Sequence, residues 1–362
     1  MEKRKEINDK LVKWIVNKVR TEYADDVSLV LIYGSYVNGT ANSKSDVDCY
    51  YIPKSEHGYH LAVDFIIEGV GYDIFPMSWE RVEKIADLSE NMAPLVGDAH
   101  IIYSGSADDA ERFKTLQARL KSNLSDDKFV REIAVRRCEE AGRLCAMLNQ
   151  SHIARGNQSA SEVRKTAGFI IMTLADAVAV YNHTYYHYGL KKQFEDLQNN
   201  IPNIPRNIAD GYQNVVKATD IDDVAKYALK LFEDVCSYLG VTFVLQAASE
   251  LKSQTANKVD ASWLAVLYEE ISSTFNKIYV CCETGNYILA FLSAVCLQRE
   301  LDDAKEAGCP AYELLSSFNY KKLCELSETT RRVESDFRKL ITVHGGYIRQ
   351  YDSFEQFESA KL

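Results

Sequence analysis

The spacing of apolar residues changes character near residue 106. Before that point, short apolar runs of strand length alternate with glycine-containing turns. After it, apolar residues recur every three or four positions over stretches of helical length. The chain opens on an amphipathic helix with Ile7, Leu11, Trp14 and Ile15 on one face. Residues 29–33 are apolar and end at Gly34, as expected of a buried strand. A second strand runs through Asp46 and Asp48 to Ile52. Residues 61–79 read as a hairpin, with strands at 63–67 and 72–76 and a turn around Gly69 and Gly71.

Downstream, residues 107–123 and 125–150 start with acidic side chains and carry basic ones in later turns, which suits the helix dipole. Residues 159–189 read as one long helix ending at Gly189, and 220–241 as another amphipathic helix. Two prolines break the pattern at 198–207, and 253–260 reads as a polar linker. Three further helices are expected near 261–282, 285–307 and 320–343, and nothing repeats at a fixed period. The expected fold is α+β: a mixed-sheet domain at 1–106, a helical bundle at 107–250 and an additional helical region at 251–362.

Composition narrows the class. A chain of 362 residues with 46% hydrophobic positions can bury the cores of two or three domains. The net charge of −10 argues against a long polyanion as the main partner, so nucleic acid is not expected, and it suits a cationic small molecule. The nine cysteines show neither CxxC pairs nor the Cys/His spacing of a zinc site; Cys281 and Cys282 read as buried thiols. No apolar run has the length of a membrane span, and the N-terminus lacks a signal-peptide core. A cytoplasmic protein with reduced thiols is expected, and a homodimer is compatible with that.

The chemistry concentrates in VLIYGSYVNGTANSKSDVD, residues 30–48. Gly34 lets the backbone turn tightly and approach a phosphate, Ser35 adds a hydroxyl donor, and a helix starting there turns free N–H groups toward an anion. On a strand, Asp46 and Asp48 point to one face, and hard oxygen donors on one face suit Mg²⁺. A third carboxylate is wanted. Asp73 stands between Tyr72 and Ile74 in an apolar strand, where a carboxylate is costly unless a cation compensates it. Asp64 also lies on a strand, at its start, and Asp73 is the favoured member.

In this order and spacing, Gly34-Ser35, Asp46-Val47-Asp48 and Asp73 resemble the nucleotidyltransferase superfamily of DNA polymerase beta. The spacing looks most like that of the small antibiotic nucleotidyltransferases of kanamycin and lincosamide type. The resemblance spans roughly residues 28–105, with a helix at SWERVEKIADL and a final strand at AHIIYSG. It implies that Gly34 and Ser35 hold the triphosphate of an NTP, that Asp46 and Asp48 bind two Mg²⁺ ions, and that Asp73 completes the metal site near the attacking hydroxyl. The reaction implied is transfer of a nucleoside monophosphate to a hydroxyl of a small molecule, an aminoglycoside or lincosamide being the candidate, with loss of pyrophosphate. Asn38, Gly39, Thr40 and Ser43 either contact phosphates or belong to a solvated loop, and Ser45 reads as a turn residue.

In such enzymes a helical domain closes the acceptor site, and residues 107–250 resemble it in architecture. Lys165 is placed there like residues that touch the triphosphate; an ordinary surface lysine is the alternative. Tyr181, Tyr185 and Tyr188 share a helix face by spacing, as core packing or as stacking aromatics. His183 and His187 form an i, i+4 pair without the acidic third ligand of a metal site. Glu139 and Glu140 are candidate general bases, or members of a structural ion pair. Three rival functions share the motif: a protein-nucleotidylating enzyme, a synthase of signalling oligo- or cyclic nucleotides, and a non-catalytic, antitoxin-like nucleotide-binding partner. The intact set of aspartates argues against the last.

Overall fold

The computed structural model describes residues 2–153, 159–201, 204–243 and 258–360. In chain order the elements are α1 (Glu2–Glu22), β1 (Val27–Tyr33), α2 (Gly34–Asn38), β2 (Asp48–Pro53), β3 (Val63–Ile67), β4 (Val70–Pro76), α3 (Trp79–Ala86), α4 (Pro94–Gly97), β5 (His100–Ser104) and α5 (Ala107–Leu124). There follow α6 (Asp127–Ile153), α7 (Ala160–Tyr181), α8 (Gln193–Asn200), α9 (Arg206–Lys217), α10 (Ile221–Leu239), α11 (Ala261–Thr284), α12 (Tyr287–Asp303), α13 (Leu323–Val343), β6 (Gln350–Tyr351) and α14 (Phe354–Ser359). The protein is α+β, with a six-stranded mixed sheet built mainly from the N-terminal region and a helical region after it. The chain folds as two units, one of residues 1–123, 265–276 and 347–362, the other of 124–264 and 277–346. The boundary expected at 250/251 and the linker expected at 253–260, as far as residue 257, lie outside the described residues.

In the first unit the strand order is β5-β1-β2-β4-β3-β6. β1 is antiparallel to β2 and β5, β2 runs parallel to β4, and β3 is antiparallel to β4. Residues 27–32 of β1 are all buried, as expected of a strand covered on both faces. Alternation then sorts the side chains. Val30 and Ile32 of β1, Cys49 and Tyr51 of β2, Phe65 of β3, and Tyr72 and Ile74 of β4 join Ile7, Leu11, Ile15 and Val19 of α1 in one core. Phe357 of α14 closes that core, its ring 4.1 Å from Phe65 and 4.8 Å from Trp14. Asp48, Asp64 and Asp73 stand at the alternate positions and so take the opposite face of the sheet.

The hairpin turn is two residues long, Glu68–Gly69, both at positive φ, so β4 begins at Val70 and Gly71 lies inside it. Gly71 is required by proximity: a Cβ there would lie 2.6 Å from the Glu269 carbonyl of α11 and closer still to Ser272. β6 adds one short edge strand parallel to β3, pairing Ile66 with Gln350 and Ile67 with Tyr351. Two residues are too few to leave a period in the sequence.

In the second unit α7 is the central helix, buried almost continuously from Val163 to Val180 against α6, α10 and α12. It ends at Tyr181 and does not continue to Gly189. His183, at φ 62°, occupies the left-handed position, its N–H donates to the Val180 carbonyl at 2.9 Å, and the Thr184 N–H donates to Ala179 at 3.1 Å. That is a Schellman termination with histidine where glycine is usual. Tyr185 and Tyr188 therefore do not extend the face of Tyr181, and the i, i+4 relation of His183 to His187 does not exist.

Candidate active site

β1 ends at Tyr33, whose Cα partner across the ladder is Asp48, the first residue of β2. Gly34 follows at φ +72°, and a Cβ added to it would lie 2.7 Å from the Asp48 carboxyl carbon and closer still to Oδ2. The glycine of the first motif is thus the space occupied by an aspartate of the second. Ser35 sits in the first turn of α2, and its carbonyl accepts from Thr40 N–H at 3.1 Å. Tyr33 caps that helix without a side-chain bond to its amides.

Asp46 precedes β2 and lies in the connecting loop, so strand alternation orients Asp48 and does not orient Asp46. The acids nevertheless converge on one neighbour. The Tyr33 phenol is held well above its ordinary pKa by burial first, then by the charges of Asp48, Asp73 and Asp46. The parallel register of Cys49 with Ile74 sets Asp48 and Asp73 side by side on adjacent strands. Burial, together with the same two carboxylates, also pushes up the Cys49 thiol.

Asp73 has a second acid opposite it. Asp64 and Asp73 are direct cross-strand partners and share a hydrogen bond. Burial raises Asp73 from 3.8 to about 9, with Asp64, Glu270 and Asp46 adding to the shift, so at neutral pH it keeps a proton and donates it to Asp64. Asp64 is also raised by burial, partly offset by that bond and by Arg349. A turn around Gly69 and Gly71 would not set these two acids opposite each other; the two-residue turn at Glu68–Gly69 does, and it brings in Asp64, which the sequence reading set aside in favour of Asp73. Glu270, from α11, carries no sequence signal linking it to this sheet.

Accumulated carboxylates that must neutralise one another by protonation are a donor set with the chemistry a hard divalent cation takes. Among the described residues, no group of three His, Cys, Asp or Glu side chains is already drawn into coordination. In the connecting loop, Asn38 Oδ1 accepts from Thr40 N–H at 3.1 Å and Ser45 Oγ from Asn42 N–H at 2.9 Å, so Ser45 serves as a turn residue.

The remaining candidates lie in the second unit. Lys165 is paired there with Asp302 at 2.6 Å and Glu162 at 2.8 Å. Arg137, one helical turn from Glu140, pairs with buried Asp176 at 2.6 Å and lies 3.9 Å from Glu140. His183 Nδ1 is 2.7 Å from the Leu124 carbonyl, and the His187 ring packs 4.4 Å from Tyr185.

Residues 12–117 match the model of the nucleotidyltransferase domain family. Among solved structures, a nucleotidyltransferase-like protein from Exiguobacterium sibiricum 255-15 is similar at 11% identity with a TM-score of 0.36, over 62% of this chain and 74% of that one. No curated protein matches the chain. The family likeness covers residues 12–117 of the 362, the stretch that holds Gly34, Ser35, Asp46, Asp48 and Asp73.

Proposed function

We propose that the protein moves a nucleoside monophosphate from an NTP to a hydroxyl of a small molecule. The observation that carries this reading is the fit of Asp48 into the space beside Gly34, with Asp46 and Asp73 acting on the same Tyr33 phenol. Asp46, Asp48 and Asp73 would hold Mg²⁺, which when bound neutralises phosphate charge and makes a hydroxyl easier to ionise. Gly34 lets the backbone come close to the triphosphate, and Ser35 offers it a hydroxyl donor. Asp73 gives up its proton when its carboxylate is used, and Asp64 then retains a negative neighbour that only a cation relieves. The new bond joins the acceptor oxygen to the α-phosphorus; the bond from that phosphorus to the bridging oxygen breaks, the acceptor loses its proton, and pyrophosphate leaves. The acidic character of the chain supports a cationic acceptor, of which an aminoglycoside is one, and lincosamides belong to the same panel.

The test is pyrophosphate release and product mass with each NTP and Mg²⁺, with and without pooled aminoglycosides and lincosamides, beside Asp48→Asn. Release that needs a drug and disappears in the variant supports the antibiotic acceptor. Release from NTPs alone moves the function to a signalling-nucleotide synthase or protein nucleotidylation. NTP binding with no release in any mixture would sink the transferase reading for the compounds tried and favour a binding partner.

A further inference from the structure

Two adjacent residues of α1 reach both segments on which the proposed chemistry depends. Asn8 is 1% exposed, a polar side chain on a helix face that otherwise sends Leu11 and Ile15 into the core. Its Nδ2 donates to the Ser45 carbonyl at 3.2 Å and to the Asp46 carbonyl at 3.3 Å, just before the β2 ladder begins. Its Oδ1 accepts from the Tyr72 hydroxyl at 2.7 Å, and that hydroxyl accepts from Arg4 Nη1 at 3.0 Å. The directions are forced. A guanidinium only donates, so the Tyr72 proton points at Asn8, the amide oxygen must face it, and the NH₂ must face the two carbonyls. No flipped amide keeps these bonds. The neighbouring Asp9 accepts from the Tyr36 hydroxyl of α2, in the turn that carries Gly34 and Ser35.

We propose that Asn8 and Asp9 are positioning residues, through which α1 sets the spacing between the Gly34-Ser35 turn and the Asp46–Asp48 segment. The inference rests on the reading of those aspartates as metal-holding. Asn8 touches neither phosphate nor metal: it acts on the backbone of Asp46 from the α1 side of the sheet. A buried asparagine needs some partner, but partners in a loop ahead of the ladder fix what strand pairing leaves undetermined.

Asn8→Asp keeps the shape and sets a carboxylate oxygen against two carbonyls. Leu11→Ala, in the same helix and the same core, removes no hydrogen bond to either segment and serves as the control for lost stability. Two measurements are made on the full chain: Mn²⁺ affinity by electron paramagnetic resonance, with and without ATP, and hydrogen exchange through residues 40–48 in the metal-free protein. Outer partners of metal ligands typically matter about ten- to a hundredfold in affinity, and Asn8→Asp is expected to weaken Mn²⁺ by that order and to speed exchange in 40–48. Leu11→Ala is expected to unfold at lower temperature yet keep wild-type Mn²⁺ affinity below its midpoint. Should Asn8→Asp fail to fold, Tyr72→Phe carries the same test, because it leaves Asn8 present but removes the hydroxyl that holds its amide oxygen. Tyr36→Phe is expected to weaken ATP and spare Mn²⁺ alone.

Wild-type affinity and exchange in a folded Asn8→Asp would overturn the proposal, as would an equal Mn²⁺ loss in Leu11→Ala at matched stability. A wild-type chain that binds no Mn²⁺ even with ATP would defeat the metal reading itself, and the positioning role with it. A wild-type chain that binds and an Asn8→Asp that binds equally would defeat the positioning role alone.

Discussion

Two carboxyl groups facing each other across an antiparallel pair would be destabilising if both were charged, because like charges at cross-strand distance in a partly buried place repel strongly. The protein answers with a proton on Asp73, and that has a pH signature. The group sits at about 9 in the fold against 3.8 ordinarily. Between those values the folded chain binds more protons than the unfolded one, so metal-free stability falls as pH rises from about 4 toward 9. Denaturation in EDTA at pH 5, 7 and 9 is expected to show this slope. In Asp73→Asn it should be mostly gone, the variant gaining on wild type steadily as pH rises from 4 to 8. An unchanged slope in the variant would contradict the shared proton. Two glycines of nearly equal backbone angle stand in unequal surroundings. Gly34 and Gly39 have φ of +72° and +76°, but a Cβ at Gly39 meets nothing within 4 Å. Gly39→Ala should therefore cost only the backbone term, about 1 kcal/mol, with turnover kept. Gly34→Ala adds displacement of Asp48, and kcat/KM should fall by at least about a hundredfold, equivalent to some 3 kcal/mol of transition-state stabilisation. Equal kinetic effects in the two variants would remove the steric link between the motifs.

At the scale of elements, what the sequence made legible was whatever a local rule decides. β1 is an apolar run stopped by glycine, and α10 ends at Gly240, whose N–H and that of Val241 close the same termination as at α7. The end of α7 was not legible, because histidine at the left-handed position carries no such mark, and the periodic run beyond it invited continuation. The hairpin was legible as two strands, but its turn, expected around Gly69 and Gly71, sits at Glu68–Gly69, so the pairing of Asp64 with Asp73 was not legible. Nor was the loop position of Asp46, since the ladder decides where β2 begins. In α7, Lys165 is half buried between Asp302 and Glu162. Lys165→Met should then cost roughly 1–2 kcal/mol, because Asp302 keeps Lys305 at 2.6 Å but loses its other cation. The KM for NTP should stay within about twofold, which is less than 0.5 kcal/mol. A large rise in KM at unchanged stability would instead return Lys165 to the triphosphate.

For the molecule as a whole, sequence distance and spatial grouping diverge. The first unit takes residues from three separated stretches of chain, and one ion pair joins the two late ones. Glu269 of α11 is fully buried and receives Arg349 Nη2 at 2.7 Å and Nε at 2.9 Å. Removing one partner of such a pair leaves a charge uncompensated, at about 3–5 kcal/mol. Arg349→Ala should lose stability of that order. The loss should grow as pH rises from 5 to 8, because burial already pushes the Glu269 carboxyl up and Arg349 is what pulls it down. A cost below about 1 kcal/mol, the range of an exposed pair, would show that water reaches Glu269. None of this was legible from a C-terminal stretch without motif, because its partners are defined only once the sheet exists.

The late arrival of β6 also governs the order of events during synthesis. β3 emerges complete at Ile67, yet the strand that covers its outer edge is Gln350–Tyr351. At typical elongation rates of 5–20 residues per second, the nascent chain carries that edge uncovered for roughly 15–55 s. Phe65, on the same strand, waits equally long for the Phe357 ring that stacks on it. Throughout that interval the half-made protein presents an adhesive strand to its neighbours on the polysome, so its yield in a cell should depend on what shields nascent chains as well as on the stability of the finished fold.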